Sequence, residues 1–85
     1  MGDHFYVWAL SKCPFCIQAA EELITQKTSF SVFVMDDELD YLEALKESRD
    51  WSTVPLILRK EKDGKEEFIG GFTDLKKWFE SRDNE

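Results

Sequence analysis

Cys13 and Cys16, the only two cysteines of the chain, stand three residues apart where a strand-like run gives way to a helix-like one. Phe5-Tyr6-Val7-Trp8-Ala9-Leu10 is rich in aromatic and β-branched residues and stops at Ser11-Lys12, the signature of a buried strand. From Pro14 to about Lys27, the apolar residues Ile17, Ala20, Leu23 and Ile24 recur at helical spacing, and Pro14 suits a helix's first turn. The cysteines therefore occupy a strand-to-helix turn, and that junction sets the topology of all that follows.

Phe30-Ser31-Val32-Phe33-Val34-Met35 repeats the strand signature, and an acidic stretch then opens a segment with Leu39, Leu42 and Leu45 on one helical face. Val54-Pro55-Leu56-Ile57-Leu58 and Glu66-Glu67-Phe68-Ile69 flank Lys62-Asp63-Gly64-Lys65, where Asp-Gly signals a tight hairpin, so these strands run antiparallel. After Gly70-Gly71-Phe72, Thr73 is placed to cap a closing helix with Leu75, Trp78 and Phe79 on one face, and Arg82 to Glu85 reads as a frayed tail. The order β-α-β-α-β-β-α predicts an α/β fold: a four-stranded mixed sheet with three helices, its first two strands parallel through a right-handed crossover.

Eighty-five residues, 42% hydrophobic and 14% aromatic, can close one core but not two, so residues 1–85 are expected to form a single domain. A net charge of −7 argues against a nucleic-acid or anionic-membrane surface, since both need a basic face, and favours basic or neutral protein partners. No apolar run approaches the roughly 20 residues of a membrane helix. The start Met1-Gly2-Asp3-His4 lacks the basic-then-apolar pattern of a secretory signal, so a soluble, cytoplasmic protein is expected.

A CxxC pair closes too small a loop to serve as a structural staple. Read as half of a zinc site, it needs two further ligands, and His4 is the only other soft or borderline candidate. Read as a redox pair, it is well placed. Disulfide exchange requires a thiolate, hence a cysteine whose pKa is brought down from about 8.5 towards ambient pH. Cys13 lies at a helix entrance, where unpaired N–H groups and the helix dipole favour negative charge, and Lys12 is a positive neighbour. Cys16, one turn on, brings its sulfur beside that of Cys13 from a more covered position. Cys13 is thus the attacking sulfur and Cys16 the resolving one. Phe15, between them, turns away from the face of Ile17, Ala20 and Ile24 and should be exposed.

The motifs Lys12-Cys13-Pro14-Phe15-Cys16, Thr53-Val54-Pro55 and Gly70-Gly71-Phe72-Thr73-Asp74, at these intervals, make the sequence resemble the dithiol glutaredoxins of the thioredoxin superfamily over nearly its whole length. The resemblance implies a cis bond before Pro55, contacts of Phe15, Thr53, Val54, Pro55 and Phe72 with glutathione, and binding of the γ-glutamyl carboxylate by the Gly70-Gly71 turn with Thr73 and Asp74. The physics is compatible: glycines allow close backbone approach, and free N–H groups at a helix start suit a carboxylate. On the residues alone, Pro55 equally reads as an ordinary strand-start proline and Gly70-Gly71 as a plain turn capped by Thr73. Many family members carry Tyr where this chain has Phe15. Trp51 has no assigned role, core, rim or partner contact, and His4 reads as a surface residue before the first strand.

The expected activity is reduction of protein disulfides and glutathione mixed disulfides by a Cys13/Cys16 dithiol in a monomer. Glutathione is the reducing co-substrate, with no bound cofactor and no metal. Lys12 is expected to meet the glycine carboxylate of glutathione. Two alternatives stand beside this: a redoxin served by thioredoxin reductase that feeds an enzyme such as ribonucleotide reductase, and an iron–sulfur cluster held through Cys13 with glutathione.

Overall fold

The computed structural model describes residues 3–83, so Met1, Gly2 and the last two residues of the expected tail lie outside it. The chain runs β1 (His4–Ala9), α1 (Pro14–Thr25), β2 (Ser29–Val34), α2 (Leu39–Ser48), β3 (Leu56–Lys60), β4 (Glu66–Gly70) and α3 (Phe72–Asp83). The four strands form one mixed sheet in the order β2-β1-β3-β4, with β1 and β2 parallel and the other neighbours antiparallel. This is the architecture expected from the sequence.

Alternation along β1 divides the core. Phe5, Val7 and Ala9 point to one face, where they meet Cys16, Ala19 and Leu23 of α1 and Leu75 and Phe79 of α3. Trp8 points to the other, where Leu42 of α2 packs with Leu56 and Met35. Each fully buried Leu contributes about 1.5–3 kcal/mol, so Leu23, Leu42 and Leu75 are among the principal fasteners of their helices.

The buried face of α1 is not the expected one. Cys16, Ala19 and Leu23 are buried, whereas Ile17 and Ile24 are 54% and 63% exposed. Both sets fit a 3.6-residue period. The helix chooses the set with small residues, because Ala19 lets its backbone lie close on the sheet. Phe15 is 57% exposed, as expected, although from a differently oriented helix. Leu39 is likewise exposed at the first residue of α2. β2 is an edge strand, so its apolar sequence leaves Val32, Phe33 and Val34 largely open.

At the far end of β1, His4 is the strand's first residue rather than a residue ahead of it, and its two ring nitrogens bond Ser29 Oγ at 2.6 Å and Ser31 Oγ at 2.8 Å. Arg82 continues α3 instead of fraying, its guanidinium 4.8 Å from the Trp78 ring centroid. At the near end β1 and β2 finish together, Ala9 opposite Val34, and the Met35 N–H donates to Ala9 O at 2.8 Å. That shared end delivers the cysteine turn and the β2–α2 loop to one place. A ladder irregularity between Ile57 and Leu58 sets Gly70 opposite Ile57, bringing the start of α3 to the start of β3.

Candidate functional site

Cys13 is the N-cap of α1, in extended conformation, and its Sγ accepts a hydrogen bond from the Cys16 N–H at 3.2 Å. Pro14 occupies the first helical turn, where its missing N–H leaves no bond unmade. Sulfur in an N-cap position receives a backbone donor and the positive end of the helix dipole, an environment that favours negative charge. Both cysteines are free thiols and buried, 8% and 5% exposed, so the expected contrast in cover is slight. Their bonding separates them. The Cys16 thiol is pushed up to about 12, first by burial, then by its hydrogen bond to Cys13 and by Cys13's charge, against a lowering backbone bond at Leu10. Cys16 therefore keeps its proton at neutral pH, and the N-cap position with its backbone donor belongs to Cys13.

Asp36, in the loop after β2, holds the turn from the other side. Its Oδ1 accepts from the Ser11 N–H at 3.0 Å and its Oδ2 from the Ser11 hydroxyl. The hydroxyl and then the N–H of Ser11, with the charge of Lys12, hold this carboxyl below the usual carboxylate range. Lys12 is exposed on the same turn, and its positive charge faces the Asp36 carboxylate.

A cavity of about 200 Å3 brings together residues far apart in sequence. Phe15 and Phe72 form one side, their rings stacked at 6.3 Å and 27°. Thr53 and Val54 enter from the segment before β3, and the Val54–Pro55 bond is cis, as the resemblance implied. Gly71, Thr73 and Asp74 close the other end. Pro55 is buried behind the lining, its carbonyl 3.7 Å from where a Cβ on Gly71 would stand. Of the expected binding residues, Lys12 and Pro55 are not part of the cavity wall; the others are.

At the start of α3, Phe72 is already helical and Thr73 lies in the first turn rather than capping it. The capping interaction runs from Asp74, whose Oδ2 accepts from the Gly71 N–H at 3.1 Å. Gly70, with φ +119°, makes the turn possible, since a Cβ there would stand 2.7 Å from that carboxylate oxygen. A helix whose cap is supplied this way keeps first-turn N–H groups open toward the cavity, a donor set suited to a carboxylate.

Asp36 and Trp51 belong to this region without having been assigned from sequence. Asp36 sits in an acidic stretch that looks like a plain helix opening, and its partner is 25 residues away. Trp51 stands two residues before Thr53, a position that could have flagged it.

A model of the glutaredoxin family matches residues 5–62, a span that holds Cys13, Cys16 and Thr53-Val54-Pro55 and ends before Gly71. Among solved structures, the chain is similar to glutaredoxin 1 of Francisella tularensis, crystallised with cacodylate: TM-score 0.73, 26% identity, 98% of this chain and 99% of that one. It is similar to a wheat glutaredoxin at TM-score 0.73 and 30% identity, over 91% of this chain and 69% of that one. A dithiolic glutaredoxin of Trypanosoma brucei brucei, at 23% identity and TM-score 0.73 over 94% and 80% of the two chains, shares the fold. No curated protein sequence matches significantly.

Proposed function

The chain belongs to the glutaredoxin family, and from that membership we propose that it is a thiol–disulfide oxidoreductase driven by glutathione, acting on protein disulfides and on glutathione mixed disulfides. The observation that carries the glutathione assignment is the cavity that joins Phe15, from the cysteine turn, to Thr53, Val54 and the Gly71–Asp74 turn. Its far end is a helix N-terminus, whose N–H groups suit the carboxylate of a small peptide thiol.

The Cys13 thiolate attacks one sulfur of the target disulfide, forming the Cys13–sulfur bond as the target S–S bond breaks, and the departing thiolate takes a proton. With a protein disulfide, Cys16 then attacks Cys13, losing its proton, releasing the second target thiol and leaving Cys13–Cys16 oxidised. Two of the influences holding the Cys16 proton, the hydrogen bond to Cys13 and the charge on Cys13, disappear once that sulfur is in a mixed disulfide. Resolution is thereby timed to follow attack. One glutathione thiolate reopens the pair as a Cys13–glutathione disulfide, and a second removes that glutathione as glutathione disulfide, restoring the Cys13 thiolate. When the target is a glutathionylated protein, Cys13 attacks the glutathione sulfur, the protein leaves as a free thiol, and only the last step remains.

Thr53 and Val54 are assigned to the peptide backbone of glutathione, the N–H groups of Thr73 and Asp74 to its γ-glutamyl carboxylate, and Lys12 to its glycine carboxylate. The acidic surface favours neutral or basic target proteins in a reducing compartment such as the cytoplasm. No helix of the described residues is long and apolar enough to cross a membrane. The test is turnover of a glutathione mixed disulfide with glutathione, glutathione reductase and NADPH. Saturable turnover supports the reading; an inert protein that thioredoxin reductase nevertheless reduces would overturn it.

A further inference from the structure

The loop from α2 to β3 carries Trp51, whose indole reaches across to the α3 turn. It packs edge-on against Phe68 of β4 at 5.4 Å and 79°, and joins the smaller core of Met35, Leu42 and Leu56. Its Cζ2 lies 3.7 Å from where a Cβ on Gly71 would stand, and the ring is a wall of the 200 Å3 cavity. Trp51 also lines a second cleft of about 400 Å3 with Lys46, Asp50 and Ser52.

Among the described residues, Trp51 Nε1 is the buried side-chain nitrogen or oxygen without a hydrogen-bond partner. Leaving such a donor unmade costs about 1–3 kcal/mol. Packing alone does not explain it, because Phe or Leu would fill the space between Phe68 and Gly71 without a stranded N–H. Resting on the glutathione reading above, we propose that Trp51 is a specificity-determining residue of the cavity: its ring bears on the γ-glutamyl arm of glutathione and its N–H is completed by an oxygen of that arm. Because Nε1 is covered in the free chain, the indole shifts as the ligand seats. Its emission therefore reports binding.

Two readouts test this. In steady state with the mixed-disulfide assay, Trp51→Phe, which keeps a ring and deletes the donor, raises the apparent KM for glutathione about 3- to 10-fold at nearly unchanged kcat, the value of one hydrogen bond. Trp51→Leu raises it further. In fluorescence, a Cys16→Ser protein carrying glutathione on Cys13 changes emission relative to the same protein carrying cysteinylglycine, which lacks the γ-glutamyl arm; the change is absent from the Cys16→Ser, Trp51→Phe protein. Thermal unfolding checks that each variant folds. A glutathione KM unchanged in both variants, or an emission change that survives Trp51→Phe, overturns the inference while the glutathione reading stands. Wild-type protein with no glutathione turnover overturns both.

Discussion

Substituting Ala at Gly70 and at Gly71 separates what the fold requires of this turn from what the cavity requires. At Gly70, φ is +119°, a region that costs an L-residue about 1–3 kcal/mol, and the new Cβ would sit 2.7 Å from Asp74 Oδ2 and 2.9 Å from its Cγ. The carboxylate must swing away and give up the Gly71 N–H, a cap worth about 1 kcal/mol. Restricting the unfolded chain returns roughly 0.4–1 kcal/mol. The net loss is about 2 kcal/mol, a fall in Tm of roughly 8–16 °C for a domain of this size. At Gly71 no positive φ is required, and the nearest atoms to a new Cβ are 3.7 Å away, ordinary contact. Gly71→Ala should therefore unfold within about 2–4 °C of wild type, an effect of roughly 0.5 kcal/mol, while its methyl group narrows the cavity and raises the glutathione KM. Circular-dichroism melts of Gly70→Ala, Asp74→Ala and the double variant expose the mechanism: with the carboxylate gone, Gly70→Ala should cost about 1 kcal/mol less. Equal stability of the two Gly variants, or a Gly70→Ala cost unchanged by Asp74→Ala, would refute the reasoning.

Asp36→Asn keeps acceptor oxygen for Ser11 but removes the negative charge opposing Lys12, so alkylation of Cys13 at neutral pH should quicken about twofold, the scale of one exposed charge in water. Asp36 is held below the ordinary carboxylate range when folded, so its contribution is present above pH about 4 and is lost as pH falls further; the stability gap between wild type and Asp36→Ala should close in acid. The Cys16 thiol is raised from 9.0 to about 12 on folding, so the unfolded chain releases that proton first and stability declines across this window as pH rises. Cys16→Ser should decline less steeply in pH-dependent denaturant melts.

Much of this fold is legible because its signals are local. The apolar run of β1 against the helical period after Pro14, and the Asp63-Gly64 turn, whose Gly64 takes φ +95°, place most elements within two residues of their positions. The cysteine turn is legible for the same reason. Choosing between Ile17/Ile24 and Cys16/Ala19/Leu23 as the buried face of α1 was beyond periodicity, because the decision depends on how closely helix and sheet approach. The Asp36–Ser11 anchor and the Trp51–Gly71 contact arise from strands ending side by side and from loops meeting across the sheet. The Asp74–Gly71 cap is local, yet Thr73 offered a more familiar candidate two residues beyond the position the helix caps.

The central claim is that Cys13 attacks and Cys16 resolves. It is tested most directly by incubating Cys13→Ser and Cys16→Ser proteins with glutathione disulfide and reading intact mass followed by peptide mapping. A single glutathione on Cys13 that accumulates in Cys16→Ser, with no adduct in Cys13→Ser, is the predicted result. Glutathione captured at Cys16 when Cys13 is replaced, at a rate comparable to that of Cys13 itself, would contradict it.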